Sequence, residues 1–283
     1  MDGTFGRGGH SREILKALRP QGRLIGIDRD PQAVAAAKQQ LEADSGFEIV
    51  RGEIANLKDI ALERELLGQV DGLLLDLGVS SPQLDEAERG FSFQRDGPLD
   101  MRMDPESATS AAEWISSATE REIRIVLFEY GEEKFAVRIA KAIVNARAIQ
   151  AIERTLQLAE IVKAAVPNRP QRIHPATRTF QAIRIFVNQE LRQLELALAA
   201  SIDLLATGGR LCVISFHSLE DRRVKRFMRD ASRETEQYRG MPNVPEEHRP
   251  PFRLVGKAIM ATPAEIELNA RSRSARLRIA ERL

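Results

Sequence analysis

The chain has 283 residues, 43% hydrophobic and 29% charged, with a formal net charge of +1, the balance of an ordinary globular protein of one large domain or two modest ones. Its single cysteine, Cys212, excludes an internal disulfide and points to a reducing compartment, the cytoplasm. No apolar run is long enough to span a membrane, and the start Met-Asp-Gly carries no basic or apolar leader, so neither a membrane anchor nor a signal peptide is expected.

The first element is a glycine turn, Asp2-Gly-Thr-Phe-Gly-Arg-Gly-Gly-His-Ser11, running into a helical pattern from Ser11 to Leu18. Glycines are needed where the backbone takes positive φ or a ligand comes within contact distance. A helix N-terminus at such a turn offers free N–H groups to that ligand. The next strand, Arg23 to Asp28, ends in an acid twenty positions after Gly8. That offset suits a carboxylate gripping the two hydroxyls of a ribose. The bland alternatives are a plain tight turn and an Asp28 that only caps the helix starting at Pro31. The turn lacks the last glycine of the dinucleotide fingerprint, which disfavours a nicotinamide enzyme. A nucleoside-binding sheet needs a strand leading into this turn, and only Met1 and Asp2 precede it, so the first strand is expected to be largely missing.

A helix is predicted from about Pro31 to Leu41, with proline in its first turn. A third strand follows at Phe47–Arg51, a helical stretch to about Leu67, and a buried parallel strand at Val70–Leu77. Strands alternating with helices predict an α/β sheet. The next core strand is Gly209–Ser215, about 130 residues after Leu77 and too far for one crossover helix. The interval is helical in pieces. Thr119 to Glu122 forms a capping box; Phe135, Ile139 and Ile143 recur at intervals of four; Thr155 to Val166 stops at Pro167. Residues 83–172 therefore read as an inserted helical domain, with 1–82 and 173–283 forming the sheet domain. Apolar positions from Phe180 to Leu205 recur at 3, 4, 4, 3, 4, 4 and 3, which predicts one continuous helix ended by Gly208-Gly209. A helix from Ser218 to about Asp230 and two strand-like runs, Phe252–Ala258 and Ser274–Ala280, complete the pattern, separated by a proline-bearing loop at 234–251 expected to be mobile.

Asp76 lies at the carboxyl end of the fourth strand, where open α/β sheets place their ligands. It opens Asp76-Leu-Gly-Val-Ser-Ser-Pro-Gln83, followed by a Gly-, Pro-, Asp- and Arg-rich stretch from Arg89 to Asp104. Loops of that length at a strand end are usually built over a site, the alternative being a structured entry to the helical insert.

With Gly90-Phe-Ser-Phe, Gly97-Pro-Leu-Asp-Met-Arg-Met-Asp104, His174-Pro-Ala-Thr-Arg-Thr-Phe-Gln181 and Ser215-Phe-His-Ser-Leu-Glu-Asp-Arg222, these motifs resemble one family over nearly the whole chain. It is the bacterial 16S ribosomal RNA cytosine-N4 methyltransferases, which act on a decoding-centre cytidine. The resemblance implies a class I methyltransferase, a Rossmann-like doubly wound sheet with a helical substrate-recognition domain inserted between the fourth and fifth strands. It implies S-adenosylmethionine as methyl donor, no metal, and 16S rRNA within the 30S subunit as substrate. Oligomeric state stays open, a homodimer being one arrangement. Carried over by position, the family's donor contacts fall on Gly8, Gly9, His10, Asp28, Ile54, Asp76 and Gln83. Two departures stand out: the family usually has an aromatic at Ile54, and its leader before the glycine turn is missing.

A cytosine N4 amine is conjugated with its ring and is a poor nucleophile until a neighbour accepts one of its hydrogens. Asp76, or a hydroxyl or backbone carbonyl at Ser80 or Ser81, is placed to do so while holding the nitrogen in line with the methyl group. The base must leave its stack to reach the donor. Phe91 and Phe93 are candidates to stack on it, with a core role equally open. His217, at a strand end, is the further catalytic candidate, whereas Ser218 and Asp221 fit a plain capping pattern. Arg222, Arg223, Lys225, Arg226 and Arg229, with Arg271, Arg273 and Arg276, form either a phosphate-facing surface or a solvated face. Two rival functions remain: another amino-methyltransferase, and an assembly factor that senses a nucleoside without chemistry.

Overall fold

A computed structural model describes residues 1–18, 21–41, 44–106, 109–167, 173–234, 236–238, 245 and 248–283. It divides into two compact units, one of Met1–Gly78 with Leu191–Leu283, the other of Val79–Glu190.

The first unit is a mixed α/β sheet flanked by helices, among them α2 (Pro31–Leu41). Strand β1 (Leu24–Asp28) pairs in parallel with β2 (Phe47–Arg51), and β3 (Val70–Asp76) in parallel with β4 (Leu205–Ser215). Asp2 joins the halves by bridging Gly26 on one side and Leu74 on the other. Its N–H donates to the Ile25 carbonyl, and the Leu74 carbonyl accepts from Gly3. The central position, expected to be largely empty, is thus held by the residues that open the glycine turn.

At the far edge β7 (Arg276–Arg282) runs antiparallel to β4, with β5 (Phe252–Leu254) and β6 (Ile259–Met260) antiparallel along β7. The strand core, with Ile25, Ile27, Leu73, Leu75, Leu211 and Val213, packs with Leu57 and Ile60, Leu194 and Leu198, and Val224 and Met228 from three helices. These are α3 (Leu57–Leu62), α10 (Glu190–Leu204) and α11 (Ser218–Asp230). Each fully buried leucine or isoleucine contributes about 1.5–3 kcal/mol. Because β1, β2, β3 and β4 are mutually aligned, Asp28, Arg51, Asp76 and Ser215 all end on one edge.

The second unit packs α6 (Glu120–Gly131) against α7 (Ala136–Ile149) and α9 (Thr177–Val187), with α7 on α8 (Thr155–Ala165). Shorter helices α4 (Ser81–Asp85) and α5 (Ala111–Ser117) precede them. Ser110 with Glu113 and Thr119 with Glu122 cap α5 and α6 reciprocally. The stretch from Arg89 to Asp104 is pinned to this helical core. The buried Arg89 guanidinium donates to the carbonyls of Arg102 and Met103, and Asn188 exchanges hydrogen bonds with Met103 N–H and the Met101 carbonyl. Phe91 is buried, and Phe93 lies 4.7 Å from both His174 and Phe180, so both rings belong to the core.

Several sequence expectations are corrected. The predicted continuous helix is broken at Asn188–Gln189, where Asn188 turns its amide to residues 101–103 and Gln189 adopts φ 50°. The apolar period crosses the break because each half serves a different core: Phe180 and Ile183 the helical unit, Leu194 and Leu198 the sheet unit. The units accordingly part at 78/79 and 190/191, whereas the sequence placed the divisions at 82/83 and 172/173; Arg172 lies outside the described residues. Gly208 and Gly209 lie within β4, not ahead of it. The first tail run forms a strand only over Phe252–Leu254, and α12 (Pro263–Leu268), with β6, fills the space before β7. Much of the loop at 234–251 lies outside the described residues. No helix among the described residues is long and apolar enough to cross a membrane.

Candidate functional site

The glycine turn is held by its own side chains. Asp2, only 1% exposed, accepts from Ser11 Oγ at 2.7 Å and from Thr4 N–H at 3.1 Å. Burial pushes its carboxyl above the ordinary aspartate range, opposed by those two hydrogen bonds. Thr4 Oγ1 then accepts from Asp76 N–H at 2.6 Å, fastening the turn to the end of β3. Phe5 lies buried beneath, 5.6 Å from the Phe47 ring. Gly8, at φ 71°, has no room for a side chain, since a Cβ there would stand 2.6 Å from the Phe5 ring; a Cβ on Gly9 would meet nothing within 4 Å. Gly8 is the N-cap of α1 (Gly9–Ala17) and supplies no side-chain cap. The first-turn N–H groups of Gly9, His10 and Ser11 therefore lack intrahelical acceptors, and the space beside Gly9 is open.

Asp28 ends β1 beside this turn. Its Oδ2 accepts from Gly6 N–H at 2.7 Å and its Oδ1 from Asp30 N–H at 2.9 Å. Each oxygen keeps a lone pair for a further donor. Burial raises the Asp28 carboxyl above its ordinary range, against the two backbone hydrogen bonds. Ile54 opens a short 3-10 turn (Ile54–Asn56) after β2 and packs against the sheet core.

Asp76 completes this edge. Its Oδ2 lies 3.5 Å from His10 Nε2, while its Oδ1 is buried without a hydrogen-bond partner among the described residues. An unsatisfied buried carboxylate oxygen is costly, and a bound cationic or hydrogen-bearing group would satisfy it. The helix N-terminus, the Asp28 acceptor and this orphan oxygen together fit a donor carrying a ribose and an ammonium group. Hydrogen bonding to Asp76 is the leading cause that raises the His10 pKa, outweighing the partial desolvation of the ring. The imidazole of His10 is therefore expected to titrate above the ordinary histidine range, and to return to it in Asp76→Asn. Following its ring protons by NMR across pH checks this, and an unshifted titration would dissolve the pair.

The other predicted residues are placed as follows. In the helical unit Ser80 is the N-cap of α4, and its N–H donates to Gln83 Oε1 at 3.0 Å. Gln83 is buried and Ser81 exposed. In the sheet unit His217 is the N-cap of α11, accepting at Nδ1 from Glu220 N–H at 3.5 Å. Its Nε2 stands 3.1 Å from Glu220 Oε1 but without hydrogen-bond geometry. The capping residue is thus His217, one position earlier than the Ser218 read from sequence. Asp221 instead binds Arg276 and Arg278 of β7. The buried Asp2–Ser11–Thr4 network was not assigned a role from sequence, although a buried acid opening the turn is its visible signal.

The sequence profile of the MraW methylase family matches residues 1–283. Among solved structures the chain is similar to a candidate rRNA methylase from Clostridium thermocellum (12% identity, TM-score 0.43, covering 100% of this chain and 87% of that one). It is also similar to a Streptococcus mutans protein described as a methyltransferase and solved with SAH (10%, TM-score 0.42, 100% and 86%). A third is an rRNA methylase from Streptococcus thermophilus (10%, TM-score 0.41, 100% and 84%).

Proposed function

The chain belongs to the MraW methylase family, whose cofactor is S-adenosylmethionine, and on that premise we propose that it methylates the N4 amine of a decoding-centre cytidine in 16S rRNA, within the 30S subunit. The observation that carries the proposal is the pairing of the cradle with Asp76, whose buried Oδ1 has no partner among the described residues.

The cofactor supplies an electrophilic methyl group. Gly8, whose own N–H is held by the Phe5 carbonyl at 2.8 Å, keeps the turn tight for close approach, Gly9 and His10 present backbone N–H groups to it, and Asp28 accepts from its ribose hydroxyls. Ile54 offers an apolar contact to its base, and Gln83 is a further contact implied by the family. Asp76 accepts a hydrogen of the N4 amine, which localises the nitrogen lone pair and aligns it for attack. Ser80 and Ser81 are the alternative acceptors, but the Ser80 carbonyl already accepts from Leu84 N–H at 3.3 Å in starting α4, and Asp76 is preferred. His217 is assigned to holding α11 at the sheet edge.

For the RNA surface, Arg222, Lys225, Arg226 and Arg229 recur at 3, 1 and 3 along one exposed face of α11. Arg223 instead pairs with Glu195 at 2.8 Å. Replacing Lys225 and Arg226 with alanine is expected to weaken RNA binding and flatten its salt dependence by roughly one unit of log–log slope per lost phosphate contact. Cofactor affinity should not move. Titrations of RNA at several salt concentrations measure this, and an unchanged slope returns both residues to the solvent-facing reading.

Incubating labelled cofactor with 30S subunits, bare 16S rRNA, DNA and free cytidine tests the substrate. The proposal expects label in 30S rRNA; label only in DNA or nucleoside supports the other amino-methyltransferase reading, and no label anywhere supports an assembly role.

A further inference from the structure

We propose that Gln193, in the first turn of α10, is a positioning residue for the base end of the cofactor, acting through the loop that carries Ile54. This rests on the donor reading given above.

Glutamine on a long helix ordinarily faces water, yet Gln193 is only 9% exposed. Its amide is used at both ends on the segment after β2. Nε2 donates to Glu53 Oε2 at 2.5 Å, and Oε1 accepts from Ala55 N–H at 3.0 Å. The two contacts flank Ile54 on either side, so the side chain straddles the residue it positions. Glu53 extends the connection, with its Oε1 3.7 Å from Arg29 Nη1, and Gly52 N–H donates to the Asp28 carbonyl at 3.0 Å. The amide therefore holds Glu53 and Ala55 directly and, through Glu53, links them to Arg29 after β1. Strand pairing fixes β1 and β2 only as far as Asp28 and Arg51; beyond that point the loop needs another anchor. A short 3-10 turn with no side-chain cap of its own gains little rigidity locally. An aliphatic side chain recognises an adenine ring by shape alone, so its placement matters more than that of a stacking aromatic.

The arrangement makes a prediction that general loosening of the fold does not. In Gln193→Glu the acceptor for Ala55 survives, but the donor to Glu53 becomes a second carboxylate facing it. S-adenosylhomocysteine should then bind about tenfold more weakly by calorimetry. The exchanged pair Glu53→Gln with Gln193→Glu rebuilds the hydrogen bond with its direction reversed, and should bring affinity back to within about threefold of the wild type. Thermal unfolding of each variant accompanies the titrations.

Wild-type protein that fails to bind S-adenosylhomocysteine would overturn the donor reading and this inference with it. Normal wild-type binding with an unchanged affinity in folded Gln193→Glu overturns the inference alone. An exchange variant that folds but stays as weak as the single variant does the same.

Discussion

Asp76→Asn is expected to slow methyl transfer about 10²- to 10⁴-fold, the range for a positioned acid–base group. The substitution keeps the size and one acceptor oxygen, and the Thr4 hydroxyl still receives the residue-76 N–H, so the strand end should stay in place. On the proposed assignment, what is lost is the charge facing the N4 hydrogen, which matters most as the amine nitrogen becomes positive. Cofactor affinity should fall much less, because the N–H groups of α1 and the Asp28 carboxylate remain. If Asp76 instead only grips the cofactor's ammonium, the pattern reverses, with affinity lost and the saturated rate nearly kept. Single-turnover rates on 30S subunits at saturating cofactor separate the two, and a near-normal rate would defeat the catalytic assignment.

Asp28→Ala should weaken cofactor binding on the order of 10- to 1,000-fold, from two hydrogen bonds to a charged group of about 1.5–3 kcal/mol each at most. Its carboxylate is also a keystone of the turn, accepting from Gly6 and Asp30. Asp28→Asn is therefore the gentler partner experiment, retaining one acceptor. A pH dependence follows from the raised pKa. Burial favours the protonated form, and a protonated carboxyl loses acceptor capacity. Affinity should therefore be complete above the raised pKa and decline as pH falls through it. Calorimetry on folded variants measures both effects, and an unchanged dissociation constant would remove Asp28 from the site.

The parts legible in the sequence are those written locally. The helix at Pro31–Leu41, the strand at Phe47–Arg51 and the helix at Ser218–Asp230 have the expected bounds, because periodicity and capping chemistry act within a few residues. The same holds for the glycine turn, whose spacing to Asp28 is a property of one strand–helix unit. Long-range hydrogen bonds leave no such period. Nothing near Gln193 announces that its amide will meet residues about 140 positions earlier, nor that Asn188 will spend its side chain on residues 101–103 and so break a helix whose apolar spacing runs on unbroken. Phe91 and Phe93 show the same limit: an aromatic in a glycine-rich loop reads equally as a stacking surface or a core anchor, and burial decides. His217 shows competition between neighbours, since histidine and serine in succession both carry cap acceptors and the backbone turns at only one.

The central claim is methylation of N4 on a decoding-centre cytidine, and the most direct measurement is mass spectrometry of 16S rRNA from cells lacking this protein. The account predicts the loss of one methyl group from a single decoding-centre cytidine, restored by the wild-type chain and not by Asp76→Asn. Retention of every methyl group on 16S rRNA in those cells would contradict it.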